Sequence, residues 1–268
     1  MLAILSLYFA YHYYRIKGQR PILSSDTFQP YELIDMTIVS KNTAIYRFKL
    51  DKEYETLSIP VGQHLACRFS IDDKDEIRYY TPISNQYDEG FFDIMVKSYP
   101  NGKVSKQFAG LQVGDKVDFK GPVGRISYEK NVADEIYMVA GGSGITPMLQ
   151  VLAAIITTPE DLTKVSLLYA NETENDILLK GELDELAQKY ANFKVSYTLT
   201  HPPKNWDGKV GYVTKEMLKE FLPEPSGDRR VFVCGPMKMK EAILKYTEEL
   251  GWEKGVLQSG GEDQVFCF

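Results

Sequence analysis

The stretch Glu135-Ile136-Tyr137-Met138-Val139-Ala140-Gly141-Gly142-Ser143-Gly144-Ile145-Thr146-Pro147-Met148 decides the fold. Its first six residues read as a short buried strand. The glycines let the backbone turn tightly and let a ligand approach the main chain. Thr146 is expected to N-cap the helix that follows, with Pro147 at the first helical position and the apolar run Met148 to Ile156 as its body. Free N–H groups at a helix start favour phosphate. The spacing is not that of the usual dinucleotide fingerprint, so the turn alone also suits an ordinary strand-to-helix junction.

Beyond this turn, strands and helices alternate. Val165–Ala170, Phe193–Leu199 and Val231–Cys234 read as strands, and Leu178–Tyr190, Thr214–Leu222 and Met237–Leu250 as helices. That rhythm implies βαβ units and a parallel sheet. Before it, the rhythm differs. Glu32–Val39, Ala44–Leu50, His64–Phe69, Phe92–Lys97 and Lys116–Lys120 are short strand-like runs, separated by Pro60-Val61-Gly62, Pro100-Asn101-Gly102 and Gly114-Asp115. They predict an antiparallel barrel or sandwich, with one helical piece at Val104–Leu111. The boundary falls near residues 125–133, and 268 residues suit two domains.

The formal charge is −6, which argues against a nucleic-acid partner. Cys67, Cys234 and Cys267 are far apart. With no Cys-x-x-Cys pair, neither an iron–sulfur cluster nor a zinc ribbon is expected, and no metal site is assigned. An odd cysteine count fits a reducing, cytosol-facing compartment. Residues Leu2 to Tyr14 are almost all apolar or aromatic, followed by Arg15, Lys17 and Arg20. As a helix they cover roughly 20 Å, short of the ~30 Å hydrocarbon core. Residues 1–23 are therefore expected to form an N-terminal membrane anchor, spanning or interfacial, with the basic residues on the cytoplasmic side. A helix packed on the protein itself is the alternative.

Two further motifs stand out. In Arg78-Tyr79-Tyr80-Thr81-Pro82, an arginine offers a charged fork to a pyrophosphate. In a strand, Tyr80 shares its face and can stack a flat ring, and Thr81 can donate a hydrogen bond. For the fragment in isolation, a surface arginine beside two β-forming tyrosines is the better account. Cys234-Gly235-Pro236-Met237 ends the last predicted strand, on the rim where open α/β sheets bind ligands. A buried thiol closing a strand is the simpler account of Cys234.

Taken in order, these pieces resemble the ferredoxin-reductase-type flavoproteins, and within them the NADH–cytochrome b5 reductase family. The resemblance runs over about residues 28–268. It rests on Arg78-x-Tyr80-Thr81-Pro82, Gly102-Lys103-Val104-Ser105, the Gly141–Pro147 turn, Cys234-Gly235-Pro236 and the aromatic ending Asp263-Gln264-Val265-Phe266-Cys267-Phe268. It implies an antiparallel β-barrel FAD-binding domain at residues 28–128, followed by an α/β parallel-sheet NAD(P)H-binding domain at 132–268. FAD and NADH are the implied cofactors.

The resemblance also implies residue roles. Arg78 holds the FAD pyrophosphate, with Tyr79 beside it. Tyr80 packs on the flavin or its ribityl chain, and Thr81 bonds near flavin N5. Met95, Lys97 and Tyr99 lie at the cofactor. Gly102, Lys103, Val104 and Ser105 bind phosphate. Gly141, Gly142, Gly144 and Pro147 shape the nucleotide turn. Thr146 touches both flavin and nicotinamide. Cys234, Gly235, Pro236 and Met237 line the nicotinamide side, with Cys234 not a nucleophile, and Phe268 closes the site. Thr81, Thr146 and Cys234 stand closest to the chemistry.

There are departures. Tyr79 stands where many relatives have proline. Thr200 stands where NADH-selective members commonly carry an acid, so NADH preference comes from the resemblance and not from this position. The implied reaction takes a hydride from NADH and passes single electrons to cytochrome b5 or a similar small redox protein. Docking an acidic haem protein would need a basic patch, for which Lys97, Lys103, Lys106, Lys120 and Arg125 are the candidates; taken singly, each is better read as a solvated cation. The endoplasmic reticulum or mitochondrial outer membrane is the expected location. Alternatives are the same module serving another acceptor and a non-catalytic membrane-tethered flavin- or nucleotide-binding scaffold.

Overall fold

The structure, a computed structural model, describes residues 22–99 and 101–268. The expected membrane anchor lies outside them, apart from its last two residues. Among the described residues, no helix is long and apolar enough to cross a membrane.

The first half builds six antiparallel strands: β1 (Gln29–Ser40), β2 (Thr43–Lys49), β3 (His64–Ile71), β4 (Lys74–Tyr80), β5 (Phe91–Lys97) and β6 (Lys116–Val123). Their order is β4-β3-β6-β1-β2-β5. A short helix, α1 (Lys103–Phe108), packs its buried Val104 and Phe108 onto them. Inward-facing Leu33, Phe48, Leu65, Phe92, Ile94 and Phe119 form the core of this lobe. β4 is a finding beyond the predicted strands. Its sequence, Lys-Asp-Glu-Ile-Arg-Tyr-Tyr, shows no apolar alternation because it is an edge strand with little to bury. It is turned back on β3 through Asp72 and Asp73, both left-handed (φ 51° and 57°), the backbone of a tight hairpin.

The second half is a parallel sheet of order β10-β9-β8-β7-β11-β12. Its strands are β7 (Glu135–Gly141), β8 (Lys164–Asn171), β9 (Phe193–Leu199), β10 (Lys209–Val210), β11 (Arg229–Cys234) and β12 (Val265–Cys267). The helices are α2 (Ile145–Thr157), α3 (Lys180–Lys189), α4 (Lys215–Phe221) and α5 (Met237–Glu249). α2 and α3 bury Met148, Val151, Leu152, Ile155 and Leu183 on one face. α4 and α5 bury Leu218, Leu222, Ile243 and Leu244 on the other. The chain leaves β7 toward β8, β9 and β10, then returns to place β11 on β7's other side. The strand order therefore reverses between β7 and β11, where such sheets open a ligand crevice at their carboxyl ends.

The halves are joined. Met95 (3% exposed) and Ile126 of the first half lie in the apolar cluster of the second. The Gln150 amide on α2 accepts from Gly62 N at 2.7 Å and donates to Gln63 O at 3.3 Å. Arg125 donates to the carbonyls of Ser259 (2.9 Å) and Cys267 (2.8 Å).

His64, at the start of β3, sets a pH dependence. Burial, with Arg125 nearby, pushes its imidazole from 6.5 down to about 4, and Tyr79 packs edge-on at 5.1 Å. The folded chain thus refuses a proton that the unfolded chain takes. Stability is full above pH 6.5 and falls as pH drops from 6.5 toward 4, at up to roughly 1.4 kcal/mol per pH unit. His64→Gln should shrink the drop in Tm between pH 7 and pH 5. An unchanged drop would assign the acid sensitivity elsewhere.

Candidate active site

The crevice at the β7–β11 reversal is very close-packed. After β7, Gly142–Gly144 form one 3₁₀ turn that leads directly into α2. Gly142 has φ +53°, a conformation that glycine adopts without strain. A Cβ on Gly144 would lie 2.4 Å from the Cys234 carbonyl oxygen and 2.8 Å from Gly235 N. One on Gly141 would lie 2.5 Å from Met239 Sδ and 3.0 Å from Pro236 Cδ. These glycines let the turn touch the end of β11, so the nucleotide-turn residues and Cys234-Gly235-Pro236 share one rim.

The expected capping by Thr146 is corrected. The helix begins earlier, with Gly144 as N-cap, and Thr146 is its second residue. Its hydroxyl donates to Ser143 O at 3.2 Å, which ties down the preceding turn. Pro147 is third, still within the first turn, where its missing N–H costs no helical bond. Cys234 is half-buried, and burial pushes its thiol up to about 12. A neutral thiol of this kind is a packing group and a poor nucleophile. Pro236 caps α5, and Met237 is exposed. Phe268 packs its ring on Phe232 and Phe266, and Lys240 Nζ donates to its carbonyl at 3.0 Å.

The β4 motif lies on the edge of the first sheet. Arg78 is exposed and pairs with Glu76 at 3.6 Å, and Lys103 at the start of α1 pairs with the same carboxylate. Two cations thus converge on one carboxylate. Tyr79 points outward. Tyr80 packs edge-on against Phe108 at 5.2 Å. Thr81 is buried just beyond β4, and Pro82 and Ile83 pair with Ile94 and Asp93 of β5. A Cβ on Gly102 would lie 2.2 Å from Ser105 Oγ, so the serine hydroxyl would have to turn away. Ser105 Oγ accepts from Tyr99 N at 3.3 Å. Val104 is buried in the barrel core, so only its backbone is available to a ligand.

The two edges meet. The Tyr99 hydroxyl lies 3.8 Å from the position of a Cβ on Gly142. Lys97 Nζ, its side chain 9% exposed, pairs with Asp176 Oδ1 at 2.7 Å. Burial would raise the Asp176 carboxyl, but hydrogen bonds from Lys97 and Thr173 hold it below the usual range. Tyr169 on β8 donates to Gly142 O at 2.9 Å. At the end of β9, the Thr200 hydroxyl faces His201 Nδ1 at 3.1 Å and Glu172 O at 3.4 Å.

The expected basic docking patch is corrected at two positions: Lys97 is buried in its ion pair and Arg125 is committed to carbonyls of the second half. Lys103, although paired with Glu76, and Lys106 stay exposed, and Lys120 lies over the Phe28 ring at 5.1 Å. Sequence reasoning also passed over Tyr169, Asn171, Asp176 and Gln150, all at or beside the cleft. Asp176 had one local signal: Thr173-x-x-Asp176 is a capping box.

These residues suit a flavin and a reduced nicotinamide nucleotide. Arg78 and Lys103, both exposed and both beside Glu76, are cations of the kind that a pyrophosphate takes. Comparison with known proteins agrees. The oxidoreductase FAD-binding domain matches residues 30–128, and the oxidoreductase NAD-binding domain matches residues 138–245. The plasma membrane-associated coenzyme Q6 reductase PGA3 of Saccharomyces cerevisiae is 55% identical over 95% of this chain and 82% of its own length. NADH-cytochrome b5 reductase 1 of Coccidioides immitis is 47% identical over 93% of this chain and 83% of its own. The crystal structure of the cytochrome b5 reductase domain of Ulva prolifera nitrate reductase superposes with a TM-score of 0.85 at 32% identity, covering 93% of this chain and all of that domain. The chain therefore belongs to the NADH–cytochrome b5 reductase family and is an FAD-dependent NADH oxidoreductase.

Proposed function

We propose that this enzyme passes single electrons to cytochrome b5 or a similar small redox protein. The observation that carries the acceptor is the likeness to NADH-cytochrome b5 reductase 1; the meeting of Lys97 and Tyr99 from the first sheet with Asp176 and Gly142 of the second supports a shared flavin and nicotinamide cleft. Bound FAD supplies the conversion between a two-electron hydride and single electrons. Arg78 and Lys103 hold its pyrophosphate, with the backbone of Gly102–Ser105 beside them. Tyr80 and Thr81 position the ring system. Gly141, Gly142, Gly144, Thr146 and the Cys234–Met237 rim orient the nicotinamide. Lys97, Tyr99 and Thr200 attend to the rest of the nucleotide, and Met95 and Phe268 back the pocket. Holding reactants in a fixed near-attack pose is the protein's main contribution to rate. The FAD-binding unit is assigned to residues 28–128 and the NADH-binding unit to 132–268. Residues 1–23 attach the enzyme to a membrane, the endoplasmic reticulum or outer mitochondrial membrane, with both units facing the cytosol.

A second reading, a quinone acceptor, is favoured by the likeness to the yeast coenzyme Q6 reductase. One anaerobic experiment separates the readings. The purified protein should be yellow, and NADH should bleach it within seconds. Reduced protein should then be reoxidised stoichiometrically by cytochrome b5. Reoxidation by a short-chain quinone alone would select the second reading. Flavin that NADH cannot bleach would leave only a binding scaffold.

A further inference from the structure

Asn171 is the last residue of β8 and is only 9% exposed. Among the described residues, neither its Nδ2 nor its Oδ1 makes a hydrogen bond of good geometry, and the one polar group its amide influences is the Tyr169 hydroxyl, whose charged form it favours. A buried amide with both polar atoms unpaired is uncommon and unfavourable. The two other buried orphans differ in kind. Trp252 Nε1 and Arg230 Nε are single N–H groups, and Arg230 still donates through Nη2 to Gly261 and Asp263 carbonyls. Asn171 keeps its backbone role, since its carbonyl accepts from Thr200 N at 3.1 Å. Only its side chain is left over.

The side chain's direction follows from the strand. Asn171 lies two residues beyond Tyr169, so both project from the same face of the sheet. That face is the one on which the Tyr169 hydroxyl reaches Gly142 O. The amide therefore points toward the nucleotide turn, under the loop that carries Thr173 and Asp176. Strand order fixes its place along a ligand. β8 stands between β7, whose turn contacts the Cys234 rim, and β9, which ends beside Thr200. A dinucleotide laid along the carboxyl edge from the β7–β11 reversal to β9 must cross β8 with its sugar–phosphate portion.

We propose that Asn171 is a nucleotide-binding residue whose amide pairs with the sugar–phosphate oxygens of the dinucleotide. The inference rests on reading the cleft as the NADH site. An amide is suited to that position because it offers an acceptor and a donor side by side. Sugar hydroxyls both donate and accept, and phosphate oxygens accept. The loop after β8 would bring the Lys97 ammonium, held by Asp176, close to the same stretch.

The test exploits an opposition in sign. Asn171→Leu keeps the side-chain size and removes both orphan atoms. The flavin-loaded, nucleotide-free protein should melt at the same temperature or higher, because no well-formed internal hydrogen bond is lost. Binding of NAD⁺ and of ADP-ribose, read by titration calorimetry, should weaken by about tenfold or more, with flavin content unchanged. Asn171→Ala, which adds no bulk, should show the same loss of affinity. An amide with a purely structural role would lower Tm and leave affinity alone, and that outcome overturns the proposal. So would unchanged ADP-ribose affinity with weakened NAD⁺, which would put the amide at the nicotinamide end. Calorimetry needs no turnover. A parent protein that binds both ligands yet fails to be bleached by NADH would defeat the proposed function and not this assignment.

Discussion

Arg78→Ala should yield largely colourless protein. In the structure this guanidinium does little for the fold. It is exposed, its pairing with Glu76 is 3.6 Å long, and its one close hydrogen bond goes to the adjacent Ile77 carbonyl. Exposed pairs of this kind contribute roughly 0–1 kcal/mol, so flavin-free protein should keep its Tm. Charge-assisted bonds to a pyrophosphate contribute more, about 1.5–3 kcal/mol, which corresponds to a loss of FAD affinity of roughly 10- to 100-fold. The flavin-to-protein absorbance ratio after gel filtration measures it, and excess FAD should restore colour. Arg78→Lys should recover only part, because an ammonium cannot form the paired fork. Stoichiometric flavin in Arg78→Ala would leave Arg78 as no more than a partner of Glu76.

Gly144→Ala should block hydride delivery while sparing flavin. The added Cβ would lie 2.4 Å from the Cys234 oxygen and 2.5 Å from its carbonyl carbon. Both are main-chain atoms at the end of a central strand, so the turn itself must move. Overpacking of this type destabilises by about 1–3 kcal/mol. A shift near 1 Å in the seat of the nicotinamide costs on the order of 10² in rate. Stopped-flow mixing with NADH should show that fall in flavin reduction, with flavin content held because the FAD contacts proposed above lie mainly on the first sheet. Gly181→Ala is the control: nothing lies within 4 Å of its Cβ position, and it sits in α3. It should be neutral or stabilising by about 0.4–1 kcal/mol. Normal reduction kinetics in Gly144→Ala would separate the Gly144–Cys234 contact from catalysis.

The two sheets and most of their strands are legible in the sequence because burial writes itself as period. β5 and β7 read as near-continuous apolar runs, since both their faces are covered. β4 escapes that logic: it is charged, lies at an edge and turns on two aspartates. The helix after β7 was placed late because a 3₁₀ turn precedes it, and glycines that satisfy a contact with β11 look the same in sequence as glycines that merely bend. The site divides in the same way. Arg78, Lys103, Gly144 and Cys234 belong to motifs that announce themselves. Asn171 and Gln150 do not, because an amide's partners, or its lack of them, exist only once distant strands are assembled. Lys97 and Arg125 show the reverse error, since cations that look free in a string are spent on the opposite lobe.

The seam that carries Met95 and Ile126 into the second lobe's apolar cluster has a consequence for how the molecule melts. Inter-domain contacts are usually polar and allow relative motion, whereas here the oily interior runs across the junction. Heating should therefore disrupt both lobes in one cooperative event. Either half cut out alone would bare the apolar wall that the other covers, and should lose stability with it.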